Sequence, residues 1–122
     1  YFYDDNINKV LNTIMELGLS HLNLGRKTQT LSGGEVRRIK LCENFSRQKQ
    51  TTKILIIDEP TSGLDAETAD KVMHLIQCNK ELFQAIIIIE HREEILRYCD
   101  FEIKIGPFSG THGGNVLSQD WL

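Results

Sequence analysis

The sequence predicts an α/β fold built on a mainly parallel sheet flanked by helices, and three observations carry that expectation. Residues 54–57 (Ile-Leu-Ile-Ile) and 85–89 (Ala-Ile-Ile-Ile-Ile) are short, branched and unalternated. Such runs are the habit of strands buried on both faces of a parallel sheet. Between them Ala69, Val72, Met73 and Ile76 recur at helical spacing. Strand, helix and strand in that order form a βαβ unit, whose crossover is right-handed.

The other elements follow in chain order. Ile7, Val10, Leu11, Ile14 and Leu17 repeat at helical spacing, with Asp5 or Asn6 as the cap and Gly18 as the stop. Residues 19–31 have no clear period and form a connector. A second helix runs from Ser32 to about Arg47, with Val36, Ile39, Cys42 and Phe45 inward. The polar stretch 46–53 is a loop. Pro60 ends the first strand, and Asp65 caps the crossover helix, which runs to about Leu82. After the second strand come a short helix from about Arg92 to Tyr98 and a third strand, 101–105, nearer an edge. Gly106, Pro107, Gly110, Gly113 and Gly114 make a turn-rich tail, with a last short strand at 115–117. No internal repeat or low-complexity tract is visible.

Composition bounds the function. The 122 residues suit one domain or part of a larger one. Fourteen basic against seventeen acidic side chains give a net charge of −3, which does not predict nucleic-acid binding by this segment alone. No apolar run reaches the ~20 residues of a membrane span, and no signal peptide is present. Cys42, Cys78 and Cys99 are odd in number and widely spaced, without metal-ligand or disulfide patterning. A reducing cytoplasm is the simplest compartment. The chain starts at Tyr1 rather than Met, which reads as a fragment of a longer protein.

In a parallel sheet the carboxyl ends of the strands share one edge, where open α/β sheets bind ligands. That edge gathers Asp58 and Glu59 from one strand with Glu90 and His91 from the other. An Asp closing an apolar strand is a natural Mg²⁺ ligand, directly or through water. A neighbouring acid can orient or deprotonate water, and a histidine can donate to a phosphate oxygen. The set suits metal-assisted hydrolysis of a phosphoanhydride, although strand-end acids can also serve only as turn caps. The segment Leu31-Ser32-Gly33-Gly34-Glu35 has the S-x-x-E spacing of a capping box. Its two glycines are poor helix formers in a first turn, but they leave backbone N–H groups open at the positive helix end, where a phosphate fits. Arg37, Arg38, Lys40 and Arg47 could face DNA, but the simpler reading is a solvated helix face. His21, His74 and His112 share no ligand spacing and read as surface or turn residues. The cysteines read as small apolar groups.

These residues resemble the motifs of ABC ATPases. LSGGE (31–35) resembles the signature, ILIIDEP (54–60) the Walker B strand with its catalytic glutamate, and SGLD (62–65) the D-loop. His91 stands where the switch histidine would be. The flanks narrow the resemblance: 17–41 and 88–117, with Gly106-Pro107 and the following glycines, are similar to the UvrA family, the damage-recognition subunit of bacterial excision repair. The chain corresponds to the C-terminal portion of the second nucleotide-binding module, so the fold implied is part of a P-loop NTPase of the ABC type. It departs from the family in reading Ser62-Gly63-Leu64-Asp65 where TGLH is more usual, and in Phe108-Ser109 and Thr111-His112 in the glycine tail. A UvrA-like drug-resistance paralogue and the ATPase subunit of a membrane transporter are therefore the alternatives.

The resemblance implies roles. Asp58 would organise Mg²⁺, Glu59 would polarise the attacking water and His91 would contact the γ-phosphate. Asp65 would communicate across the module interface. Ser32, Gly33, Gly34 and Glu35 would serve ATP held by the opposite module. Implied partners are that module, a second copy of the full-length protein, damaged DNA and an excinuclease B-type subunit, with no membrane. No G-x-x-x-x-G-K-[ST] loop occurs in these residues. The Q-loop and the family's zinc-binding cysteines are absent as well. The full-length protein is expected to be an ATPase, and this segment alone a poor nucleotide binder without turnover. The missing partner strand would leave an apolar edge exposed, so the isolated chain should self-associate or rearrange to cover it.

Overall fold

A computed structural model describes residues 4–46, 54–107 and 113–122. The chain divides into two compact units, Tyr1–His91 and Arg92–Leu122. In the first, helix α1 spans Asp5–Ile14. Its cap is Asp4, one residue before the expected pair: the Asp4 carboxylate accepts from the N–H groups of Asn6 (2.8 Å) and Ile7 (3.3 Å). The chain continues through a wider π turn, Met15–Leu19, where Gly18 adopts φ 71°. A Cβ at Gly18 would lie 2.6 Å from the Thr68 Cγ2, so both backbone sign and packing require glycine. Leu17 and Leu19 on this turn are fully buried.

Helix α2 spans Gly33–Ser46. Its inward side differs from the expectation. Glu35, Arg38, Leu41, Cys42 and Phe45 are buried, whereas Val36 is half-buried and Ile39 exposed. The apolar spacing pointed to a stripe through Val36 and Ile39. The helix instead turns two polar side chains inward: Glu35 is paired through both carboxylate oxygens, and Arg38 donates through one Nη to the Ser62 carbonyl while its Nε is buried without a partner among the described residues. Arg38 is therefore not part of a solvated face. Phe45 meets Phe83 edge-on at 6.4 Å between ring centres. Arg47, and with it the end expected for this helix, lies outside the described residues, as does most of the 46–53 loop.

Strands β1 (Ile54–Asp58) and β2 (Ala85–Ile89) pair in parallel, from Ile54 opposite Ala85 to Asp58 opposite Ile89. Helix α3, Ala66–Cys78, connects them and buries all four expected residues, Ala69, Val72, Met73 and Ile76. It stops short of Leu82, and a separate 3₁₀ turn covers Lys80–Leu82. The strands are not buried on both faces among the described residues. Leu55 and Ile57 are buried, but Ile54, Ile56, Ile87 and Ile89 are 52%, 64%, 48% and 48% exposed. The helices cover one face only. Cys78 is exposed rather than packed, while Cys42 is buried.

In the second unit a 3₁₀ turn, Glu93–Tyr98, precedes β3, Phe101–Gly106. This strand does not extend the parallel pair. It pairs antiparallel with β4, Asn115–Trp121, in a separate two-stranded sheet. β4 outruns its expected end at Leu117 because Ser118, Gln119 and Asp120 continue the ladder. Phe101 and Trp121 pack edge-on at 5.0 Å at the open end of this hairpin.

The open isoleucine face generates a prediction. Sedimentation velocity on the isolated chain should show its mean mass rising with concentration. The double substitution Ile56→Glu, Ile87→Glu should shift it toward monomer without loss of helical circular dichroism. A concentration-independent monomer of the unsubstituted chain would refute this.

Candidate active site

The site is built on the turn that follows β1. Glu59 occupies the left-handed region at φ 46°, which costs a non-glycine residue about 1 kcal/mol. One cross-strand bond and one bond within the turn hold it there. The Glu59 N–H donates to the Ile89 carbonyl at 2.8 Å, extending the ladder one residue beyond β1, and the Ser62 N–H donates back to the Glu59 carbonyl at 3.2 Å. From the end of β2, one Glu90 carboxylate oxygen accepts both the Thr61 N–H (3.0 Å) and the Thr61 hydroxyl, while the other accepts the His91 N–H at 3.0 Å. Pro60 and Thr61 are fully buried.

With the turn fixed, the acids face outward. The His91 Nε2 lies 3.3 Å from one Glu59 carboxylate oxygen. Arg37 reaches both acids: its Nη2 is 3.3 Å from Asp58 and its Nη1 is 3.5 Å from the other Glu59 oxygen. The structure thus brings Asp58, Glu59 and His91 together at the carboxyl ends of the strands and adds Arg37. Thr61 and Glu90 are further residues to which the sequence reading gave no role. Glu90 was visible as a strand-end acid, but only the fold shows what its carboxylate grips.

Ser32 and Glu35 form a reciprocal capping box. The Ser32 N–H donates to Glu35 at 2.6 Å, and the Glu35 N–H donates to the Ser32 hydroxyl at 3.3 Å. The second Glu35 oxygen accepts from the His21 Nε2 at 2.7 Å, so His21 is more than a surface residue. His21 first, then the Ser32 bonds, pull the Glu35 pKa down to about 2. Both Glu35 oxygens are engaged within the chain, where they support the helix end. Around Gly33 a Cβ would meet nothing within 4 Å, so its backbone is open to approach. At Gly34 a Cβ would press on the Arg38 Nη1 (3.2 Å) and the Ser62 carbonyl (3.4 Å). Arg38 donates to that same carbonyl at 3.2 Å, and burial lowers its pKa. The start of α2 therefore rests on the turn that carries the acids. Asp65 caps α3, accepting from the Thr68 N–H (3.0 Å) and hydroxyl (2.7 Å), and these bonds lower its pKa.

The donors suit a hard cation. Asp58 and Glu59 offer carboxylate oxygens that are partly open to water. Among the described residues no cluster of three or more His, Cys, Asp or Glu side chains could enclose a metal. One or two carboxylates completed by phosphate and water oxygens is the pattern Mg²⁺ adopts.

The family model described as ABC transporter matches residues 3–62. UvrABC system protein A of Neisseria meningitidis serogroup A is 37% identical over 93% of this chain, and that of Deinococcus radiodurans is 36% identical over 92%. The chain belongs to the UvrA family. It spans 12% and 11% of the length of those two relatives. Among solved structures, UvrA2 from Deinococcus radiodurans matches with TM-score 0.81 and 31% identity, covering 94% of this chain and 14% of that one. CbiO1 from Clostridium perfringens, part of an ABC transporter complex, matches with TM-score 0.54 and 30% identity over 93% of this chain and 42% of that one. A dimeric ATP-binding cassette bound to ADP and Pi, at 19% identity and TM-score 0.63, shares the fold. This UvrA-family segment thus carries an ABC ATPase fold. No helix among the described residues is long and apolar enough to cross a membrane.

The Glu35 contacts predict an acid sensitivity. Its folded pKa lies below the ordinary 4.5, so it contributes stability above that value, and the contribution is lost as pH falls toward about 2. His21→Ala should raise the Glu35 pKa and shift this loss to higher pH. Carboxyl-carbon NMR titration of wild type and variant measures both, and an unmoved Glu35 midpoint would contradict the pairing.

Proposed function

We propose that this chain is the C-terminal portion of an ABC-type nucleotide-binding domain, in the second module of a UvrA-type protein. That protein couples ATP binding and hydrolysis to damage recognition in nucleotide excision repair. The observation that carries the reading is the convergence of Asp58, Glu59 and His91 at the strand ends in a chain whose UvrA likeness covers 93% of its length.

The residues divide the work by chemistry. Asp58 and phosphate oxygens would hold Mg²⁺, which when bound offsets phosphate charge. Glu59 accepts a hydrogen bond from the attacking water and takes up its proton. Its left-handed backbone aims the carboxylate out of the sheet edge, and His91 steadies one oxygen. His91 is exposed enough to donate to the γ-phosphate as well. The open backbone at Gly33, flanked by Ser32 and Gly34 at the positive end of α2, faces nucleotide bound by the opposite module. Glu35 acts there through the capping box. Asp65 holds the start of α3 at the module interface. Partners on this reading are the opposite module, a second copy of the full-length protein, damaged DNA and an excinuclease B-type subunit. Three free thiols suit the reducing cytoplasm.

The stronger likeness to UvrA2 than to CbiO1 favours repair over transport. The Ser62-Gly63-Leu64-Asp65 departure favours a second reading, a UvrA-like resistance paralogue. Restoration of ultraviolet survival in an excision-repair-deficient bacterium supports the first reading. Restored drug tolerance without ultraviolet survival supports the second.

In the full-length protein Glu59→Gln should retain ATP binding while slowing hydrolysis by about 100-fold or more, the scale of a lost general base. Unchanged single-turnover rates would refute that role. Gly34→Asp should impair hydrolysis by setting a carboxylate against phosphate and pressing on Ser62. Normal turnover there would remove the α2 end from the nucleotide site.

A further inference from the structure

Arg37 touches both acids of the site, and it comes from the helix whose start serves the opposite module on the reading above. We propose that Arg37 is a cation-displaceable clamp: it competes with a divalent metal ion for Asp58, and the metal's arrival frees a Glu59 oxygen for water. This rests on the reading of Asp58 as the metal-side carboxylate.

Three observations carry the inference. The guanidinium is split between two carboxylates at 3.3 and 3.5 Å, longer than a charge-assisted bond of about 2.8 Å. It is therefore an electrostatic hold rather than a locked bidentate pair. All three side chains are also partly exposed, so water screens the contacts and the hold is weak. A divalent ion carries twice the charge and binds oxygen at about 2.1 Å. Ion and guanidinium repel each other across one carboxylate, so the stronger ligand displaces the weaker. Finally, the Glu59 oxygens are divided, one to His91 and one to Arg37. Release of Arg37 opens one oxygen while His91 retains the other.

The clamp also links two half-sites. Arg37 and Arg38 tie α2 to the acid turn by separate contacts, Arg37 to the carboxylates and Arg38 to the Ser62 carbonyl. Metal binding at Asp58 removes the first tie and leaves the second. The start of α2 gains freedom when its own module is loaded. Arg37 is thus a positioning residue, acting through Asp58 and Glu59.

The test uses the full-length protein with ADP, and Mn²⁺ as the probe, followed by electron paramagnetic resonance of the free ion. Asp58→Asn identifies the Mn²⁺ equivalent that belongs to this site by abolishing it. Arg37→Gln should tighten that equivalent by about three- to tenfold, the scale of two screened ion-pair contacts. Arg37→Lys keeps the charge and should stay near wild type. Arg37 is partly exposed, and circular dichroism checks that both variants keep the wild-type fold. Wild-type affinity in Arg37→Gln, with the equivalent still lost in Asp58→Asn, overturns the clamp and leaves the metal-side reading intact. Unchanged Mn²⁺ binding in Asp58→Asn overturns that reading, and the clamp with it.

Discussion

The turn that carries the two acids depends on the grip of Glu90 on Thr61. A carboxylate at the end of β2 accepts two bonds from the buried turn after β1 and a third from the His91 N–H. That one side chain joins the ends of both parallel strands. It stabilises a turn in which Glu59 stands in the left-handed region, a conformation that persists only when its surroundings over-determine it. Local strain and outward aim are the same feature here. The backbone that costs energy at Glu59 directs its carboxylate toward His91 and Arg37.

The start of α2 follows the same economy of paired groups. Glu35 is buried, and its oxygens are shared between Ser32 and His21. The helix end is therefore held firm by an internal acid while the backbone at Gly33 stays open. Gly34 has a second reason to be glycine, because a Cβ would crowd Arg38 and Ser62. Two adjacent arginines on this helix take opposite parts. Arg38 turns inward to a backbone carbonyl, and Arg37 turns outward to two carboxylates.

The four isoleucines on the open face of β1 and β2 fit the share of the family that this chain represents. The helices of the first unit cover Leu55 and Ile57 but not Ile54, Ile56, Ile87 and Ile89. A run apolar on both faces is written for a sheet covered on both. The chain spans about one-eighth of its curated relatives, so the sequence pattern describes a larger core than these residues assemble by themselves.

The sequence by itself determined the βαβ unit, the inward face of α3, the Ser32–Glu35 capping box and the meeting of Asp58, Glu59 and His91 at one edge. All of these follow from local periodicity, or from the rule that parallel strands end on the same side. The tertiary structure decided what depends on the rotation of one element against another. The register of α2 placed Arg37 on the acids, buried Arg38 and left Ile39 exposed, and no spacing within α2 encodes that angle. His21 lay in a stretch without period, so only folding could bring it to Glu35. β3 turned to β4 rather than to the parallel pair, because partner choice between strands is set by long-range hydrogen bonding. Local chemistry is written residue by residue, whereas charge pairs between distant segments exist only after the chain has packed.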